Sequence, residues 1–148
     1  MTDKTDSGLL VKVAVLGGTG KEGSGLARRW AVNGYAVIIG SRDADRAKAT
    51  ALEVNQELGG EYLSGMENGA AAEAADLVVL SVPYGAHKAT IESVKDKLDG
   101  KVLVDVTVPT PFPQTVHIPD GKSAALEAQA LLGTSVRVVS AFQNVSAG

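Results

Sequence analysis

The sequence predicts an α/β protein with a doubly wound, mainly parallel six-stranded sheet and helices on both faces. Two observations carry this. Short runs dense in Val, Ile and Leu alternate with longer segments of helical period that stop at glycine. The short runs are near-continuously apolar, which suits parallel strands covered on both faces better than half-exposed antiparallel ones. Such alternation builds βαβ units with right-handed crossovers.

In chain order the strand candidates are Val11–Leu16, Ala36–Ile39, the weaker Glu61–Ser64, Leu77–Ser81, Lys101–Val106 and Val136–Ser140. The first helix, Lys21–Asn33, ends at Gly34. Ala47, Ala51, Val54 and Leu58 form one stripe on Asp43–Leu58, which Gly59-Gly60 terminates. Asn68 is the expected N-cap of the Ala-rich Gly69–Ala75; Gly85–Leu98 stops before Gly100 and Ser123–Leu132 before Gly133. In Val108–Gly121, Pro109, Pro111, Pro113 and Pro119 forbid a regular helix or central strand. A loop of that length is more often functional than merely connecting.

A chain of 148 residues has the length of one domain, read here as a disordered tail over 1–10 and a folded unit over 11–148. A net charge of -3 gives no electrostatic footprint for nucleic acid or an anionic membrane. The absence of cysteine excludes a disulfide framework, a thiolate metal site and a Cys nucleophile, and fits a reducing cytoplasm. MTDKTDSGLL lacks a secretory signal, and no apolar run approaches the roughly 20 residues that span a bilayer. The expectation is a cytoplasmic protein with no metal site.

Chemistry enters where the first strand runs into Gly17-Gly18-Thr19-Gly20-Lys21-Glu22-Gly23 and then a helix. Gly18, Gly20 and Gly23 match G-x-G-x-x-G in the strand–turn–helix setting that marks a dinucleotide-binding Rossmann fold. Gly18 is expected to make the tight turn, Gly20 to let the backbone approach a pyrophosphate, and Gly23 to pack the helix close to the strand. The phosphates then meet free N–H groups at the positive end of a helix. No G-K-[ST] follows, so this is no P-loop.

The dinucleotide is read from the end of the second strand. NAD-binding folds place Asp or Glu about 20 residues past the glycines to bind the ribose 2′-OH. Here that position is Gly40 or Ser41, followed by Arg42, with Arg46 one helical turn on. A hydroxyl and guanidinium groups suit a 2′-phosphate, which a carboxylate would repel, so NADP(H) is expected. Two other readings stand beside this: Ser41 or Asp43 caps the next helix with Arg42 a solvated charge, or Asp43 itself is the ribose ligand. Arg28 and Arg29 read as a solvated face.

In the second half, Val82, Pro83 and Tyr84 follow the fourth strand and are expected to line the cofactor groove; plain strand termination is the alternative. The tails of the fifth and sixth strands would converge near the nicotinamide. No acid–base pair stands out, and no catalytic residue is assigned. His87, in the first turn of a helix, and His117, in the proline-rich loop, read as surface or loop histidines more than as catalysts, and Asp105 as a carboxylate hydrogen-bonded to the loop, with a catalytic carboxylate as the alternative. Hydride transfer between two cofactors needs positioning and water exclusion, not a protein acid or base.

The strings VAVLGGTGKEGSGLARRWAVNGYAVIIGSRDADRA, LSVPYGAH and VVSAFQNVSA resemble NADPH-dependent reductases of the deazaflavin coenzyme F420, from Lys12 to Gly148. The wider superfamily includes pyrroline-carboxylate reductases and ferric-reductase domains. The resemblance implies a pyrophosphate at Thr19, Gly20, Lys21 and Glu22, and a 2′-phosphate at Ser41, Arg42 and Arg46. It further implies contacts from Val82, Tyr84, Val108 and Ala147, and hydride transfer between nicotinamide C4 and deazaflavin C5. Gln143 stands where many relatives carry His. The family continues with a small helical C-terminal region that closes the cleft and helps form homodimers, whereas this sequence stops at Gly148. The partners expected are the dinucleotide and a redox acceptor. The alternatives are another acceptor (an imine, a ferric complex or a flavin) or a non-catalytic NADP-binding module.

Overall fold

The structure, a computed structural model, describes residues 11–109 and 123–145. Its elements run β1 (Lys12–Leu16), α1 (Lys21–Val32), β2 (Ala36–Ser41), α2 (Ala44–Leu58), β3 (Leu63–Glu67), α3 (Asn68–Ala74), β4 (Leu77–Leu80), α4 (Tyr84–Val94), a 3-10 turn (Lys95–Lys97), β5 (Val102–Asp105), α5 (Ala124–Leu132) and β6 (Arg137–Ser140). The strands form one parallel sheet in the order β3-β2-β1-β4-β5-β6. This is the Rossmann arrangement, with the order reversing between β1 and β4.

Alternate residues of β1, β2 and β4 feed two cores. Ala14, Leu16, Ile38, Val78 and Leu80 meet α3, α4 and α5. Val13, Val15, Val37, Ile39 and Val79 meet α1 and α2. The two-sided burial is why the strands read as unbroken apolar runs.

Three expectations are corrected. β3 is Leu63–Glu67, not Glu61–Ser64. The Asn55 side chain accepts from the N–H of Tyr62 and of Leu63 and donates to the Leu63 carbonyl, holding the start of that segment against α2. Pairing with β2 therefore begins at Leu63. Asn68 is not the cap of α3: the Glu67 carboxylate accepts from the Gly69 N–H at 2.7 Å, and Asn68 is buried as the first helical residue. The α4 helix gives way at Val94 to a 3-10 turn instead of running to Leu98. The Pro-rich segment lies largely outside the described residues, as do 1–10 and 146–148.

Candidate dinucleotide site

The site begins where β1 leaves the sheet. Gly17 has φ +71°, so the tight turn expected of Gly18 falls one residue earlier. A side chain at Gly17 would strike the Ser81 carbonyl and Val82 beyond β4, so the first turn lies directly against the second half of the fold. The Gly18 N–H donates to Val15 O (3.2 Å) and Gly40 O (3.1 Å), tying the turn to β2. At Gly23 a Cβ would come within 2.9 Å of the Gly18 Cα and 3.0 Å of the Gly17 carbonyl, so helix-to-turn packing needs a glycine there, as expected.

Gly20 is different. It is the N-cap of α1 with φ -80° and ψ 166°, a backbone any residue adopts. A Cβ there would meet only the Gly17 carbonyl, at an ordinary 3.6 Å. Nothing inside the protein calls for glycine at 20, whereas a ligand approaching the backbone would. No side chain caps α1, which leaves its first N–H groups open. Thr19 is half-buried and Lys21 exposed. Glu22 is half-buried, and burial raises its carboxyl above the ordinary carboxylate value.

At the β2–α2 corner, Gly40 is wedged between Leu16 and Asn68. A Cβ there would lie 2.9 Å from a Leu16 methyl and from Asn68 Oδ1, so no carboxylate side chain fits. Asn68 Oδ1 is buried with no hydrogen-bond partner among the described residues. Ser41 is buried, and its Oγ accepts from the Asp43 N–H at 3.2 Å. Asp43 Oδ1 accepts from the N–H groups of Asp45 (2.9 Å) and Arg46 (3.3 Å), which makes Asp43 the cap of α2. Its Oδ1 thus caps the helix, while Oδ2 makes no hydrogen bond among the described residues. Arg42 and Arg46 are exposed, and among the described residues neither has an ion-pair partner. The corner offers two free guanidinium groups and no free carboxylate at Gly40 or Ser41.

Across the switch point, Val82 is half-buried and Pro83 exposed at the N-cap of α4. The Tyr84 hydroxyl donates to both carboxylate oxygens of Glu127 on α5, at 3.0 and 2.9 Å. That hydrogen bond, then burial and the carboxylate charge, raise the phenol above its ordinary value. Val108 is exposed just beyond β5. Ala147 and His117 lie outside the described residues.

His87 is not a surface or loop histidine. It is 1% exposed, and its Nε2 lies 2.6 Å from Oδ2 of the fully buried Asp105. Asp105 does bind the loop, since its Oδ1 accepts from the Thr107 N–H at 3.0 Å, but it binds His87 as well. A signal was available: His87, Thr90, Ile91 and Val94 form the buried stripe of α4 at helical spacing. Position 87 belongs to that stripe and so faces the sheet. The partnership with Asp105, 18 residues away, has no local signature.

Among the described residues no His/Asp/Glu cluster could hold a metal, and no helix is long and apolar enough to cross a membrane. An apolar hollow of about 300 Å³ is lined by Trp30, Leu77, Val79, Val104 and Phe142 among others.

A reversed-order parallel sheet with a glycine turn at its switch point defines a Rossmann domain of the dinucleotide-binding class. The chain belongs to the family of coenzyme F420-dependent NADP oxidoreductases, whose sequence profile matches residues 12–109. It is 42% identical to the F420-dependent NADP reductase of Methanothermobacter thermautotrophicus over 94% of this chain and 63% of that protein. With the F420-dependent NADP reductase of Methanocaldococcus jannaschii it shares 41% identity over 91% of this chain and 64% of that protein. A crystal structure from Arthrobacter sp. FB24, of a candidate F420-dependent NADP reductase, superposes with a TM-score of 0.74 at 28% identity, over 88% of this chain and 61% of that one. The chain thus spans a little under two thirds of the length of each.

Proposed function

We propose that this chain binds NADP(H) and serves reversible hydride transfer between NADP(H) and the deazaflavin coenzyme F420. The observation that carries the binding step is Gly20, a glycine that neither backbone geometry nor internal packing requires, at the uncapped start of a helix. In this reading Gly18, Thr19, Gly20, Lys21 and Glu22 receive the pyrophosphate. The free guanidinium groups of Arg42 and Arg46, with the Ser41 hydroxyl, receive the 2′-phosphate by charge-assisted hydrogen bonds. The naming of the methanogen relatives as F420-dependent NADP reductases supports the acceptor.

When both are bound, the nicotinamide and the deazaflavin supply the hydride chemistry, and the protein's share is positioning and exclusion of water. Val82, Pro83, Tyr84 and Val108 form the wall beyond the switch point; the hydroxyl of Tyr84 is engaged by Glu127, so the residue offers its ring and backbone to a ligand. The family resemblance adds Ala147 as a nicotinamide contact. No side chain is asked to move a proton. A cytoplasmic location and a homodimer complete the proposal.

The test is to follow NADPH oxidation on adding oxidised F420, using the longest chain the gene encodes. Turnover with F420 that exceeds turnover with imines, ferric complexes and free flavins supports the reading. NADPH binding without turnover on F420 contradicts its second half.

A further inference from the structure

The His87–Asp105 pair has no role in the reading above. It joins the first turn of α4 to the last residue of β5, buried on both sides. Asp105 is engaged at every acceptor. Its Oδ2 meets His87 Nε2, its Oδ1 accepts from Thr107 N–H, and its main-chain carbonyl accepts from Ala141 N–H (3.2 Å) and Gln143 Nε2 (2.8 Å). The exits of β5 and β6 and the entry to α4 are thus fixed through one residue. The tie extends in two directions. The Tyr84 ring stacks on His87 with centroids 6.0 Å apart, and Thr107 Oγ1 reaches the Val82 carbonyl at 3.5 Å.

Stability alone is a poor reason for such a pair. Two polar groups removed from water gain little over apolar side chains of similar size, and Ile91 and Leu103 already supply apolar packing in this core. Hydrogen bonds supply direction, which apolar packing does not. Sheet order says where that direction matters. Leu80 pairs with Asp105 on the side of β4 away from β1, while Ser41 and Arg42 lie on the other side of the glycine turn.

Resting on the NADP(H) reading, we propose that His87 and Asp105 are positioning residues for the nicotinamide half of the cofactor. They hold the Val82–Tyr84 turn and the Thr107–Val108 segment in the arrangement that receives the ring, and the adenosine half is bound independently of them.

The experiment compares two ligands on wild type, His87→Phe and Asp105→Asn. 2′,5′-ADP carries only the adenosine half; NADPH carries both halves, and its ring fluorescence reports the nicotinamide environment. Phe at 87 keeps a ring beneath Tyr84 and loses the hydrogen bond. Asn at 105 can still accept from Thr107 and donate to His87. In His87→Phe, 2′,5′-ADP should stay within about twofold of wild type, while NADPH weakens roughly five- to tenfold and its fluorescence gain on binding is lost. Asp105→Asn should behave as wild type with both ligands. Equal losses for both ligands in His87→Phe, no change in NADPH binding or fluorescence, or an Asp105→Asn as damaged as His87→Phe would each overturn the proposal. If thermal melting shows that His87→Phe does not fold, His87→Leu, which also removes the hydrogen bond, is judged by the same outcomes. A wild-type chain that binds neither ligand contradicts the NADP(H) reading instead.

Discussion

The two sides of the switch point are built by different means. On the β1–β2 side the phosphate turn is made of backbone: Gly17 turns the chain, Gly18 ties it to β2, Gly23 brings the helix close, and α1 begins without a side-chain cap. On the β4–β6 side it is made of side chains linked at a distance, through Glu127–Tyr84 and His87–Asp105–Thr107. Backbone sites write themselves into sequence as glycines at fixed spacing. Side-chain networks do not, because their members are separated by whole elements.

The comparison can be broken most severely at Gly23. With a Cβ already within 2.9 Å of another residue's Cα, Gly23→Val has to push α1 from the turn. The expected result is a loss of about 1–3 kcal/mol in a denaturant melt together with loss of measurable NADPH binding. Gly20→Ala sharpens the same side, since the added methyl has room inside the protein. Stability should change by less than about 0.5 kcal/mol, while NADPH affinity by calorimetry falls roughly tenfold because the methyl occupies the ligand's approach. A Gly20→Ala variant that binds NADPH as tightly as wild type would show that no ligand approaches the backbone at residue 20.

A smaller effect is expected at Glu22. Burial raises its carboxyl, so the folded chain holds that proton more tightly than the unfolded chain does. Its contribution to stability is therefore full below the unfolded pKa and lost as pH rises through the folded one. Bound phosphates would disfavour the ionised form further, so NADPH binding should weaken as pH rises through that range. Glu22→Gln should flatten the dependence, by about two- to threefold between the ends of the titration.

Legibility followed the same division. The alternation of apolar runs and glycine-stopped helices gave the strand number and the helices, because two-sided burial leaves continuous Val/Ile/Leu runs. The G-x-G-x-x-G spacing located the turn, although Gly17 and not Gly18 takes the left-handed backbone. What escaped was set by tertiary contact. The start of β3 depends on how Asn55 grips Tyr62 and Leu63 from the neighbouring helix. The cap of α3 is Glu67, and Asn68 is buried beside Gly40 instead. The burial of His87 is legible in the helical spacing of His87, Thr90, Ile91 and Val94, but its partnership with Asp105, on another element, is not. At the β2–α2 corner, sequence left Asp43 as either a cap or a ribose ligand. The hydrogen bonds to the N–H groups of Asp45 and Arg46 show the cap role, taken by Oδ1.

That corner carries the central claim, the selection of NADP(H) over NAD(H), and one measurement tests it most directly. NADPH and NADH are titrated into wild type and into Arg42→Ala, a substitution of an exposed residue that leaves the Asp43 cap in place. The account predicts that wild type prefers NADPH, and that Arg42→Ala loses roughly 10- to 100-fold in NADPH affinity with NADH changed less than about twofold. Equal loss for both dinucleotides, or a wild type that binds NADH as tightly as NADPH, would contradict it.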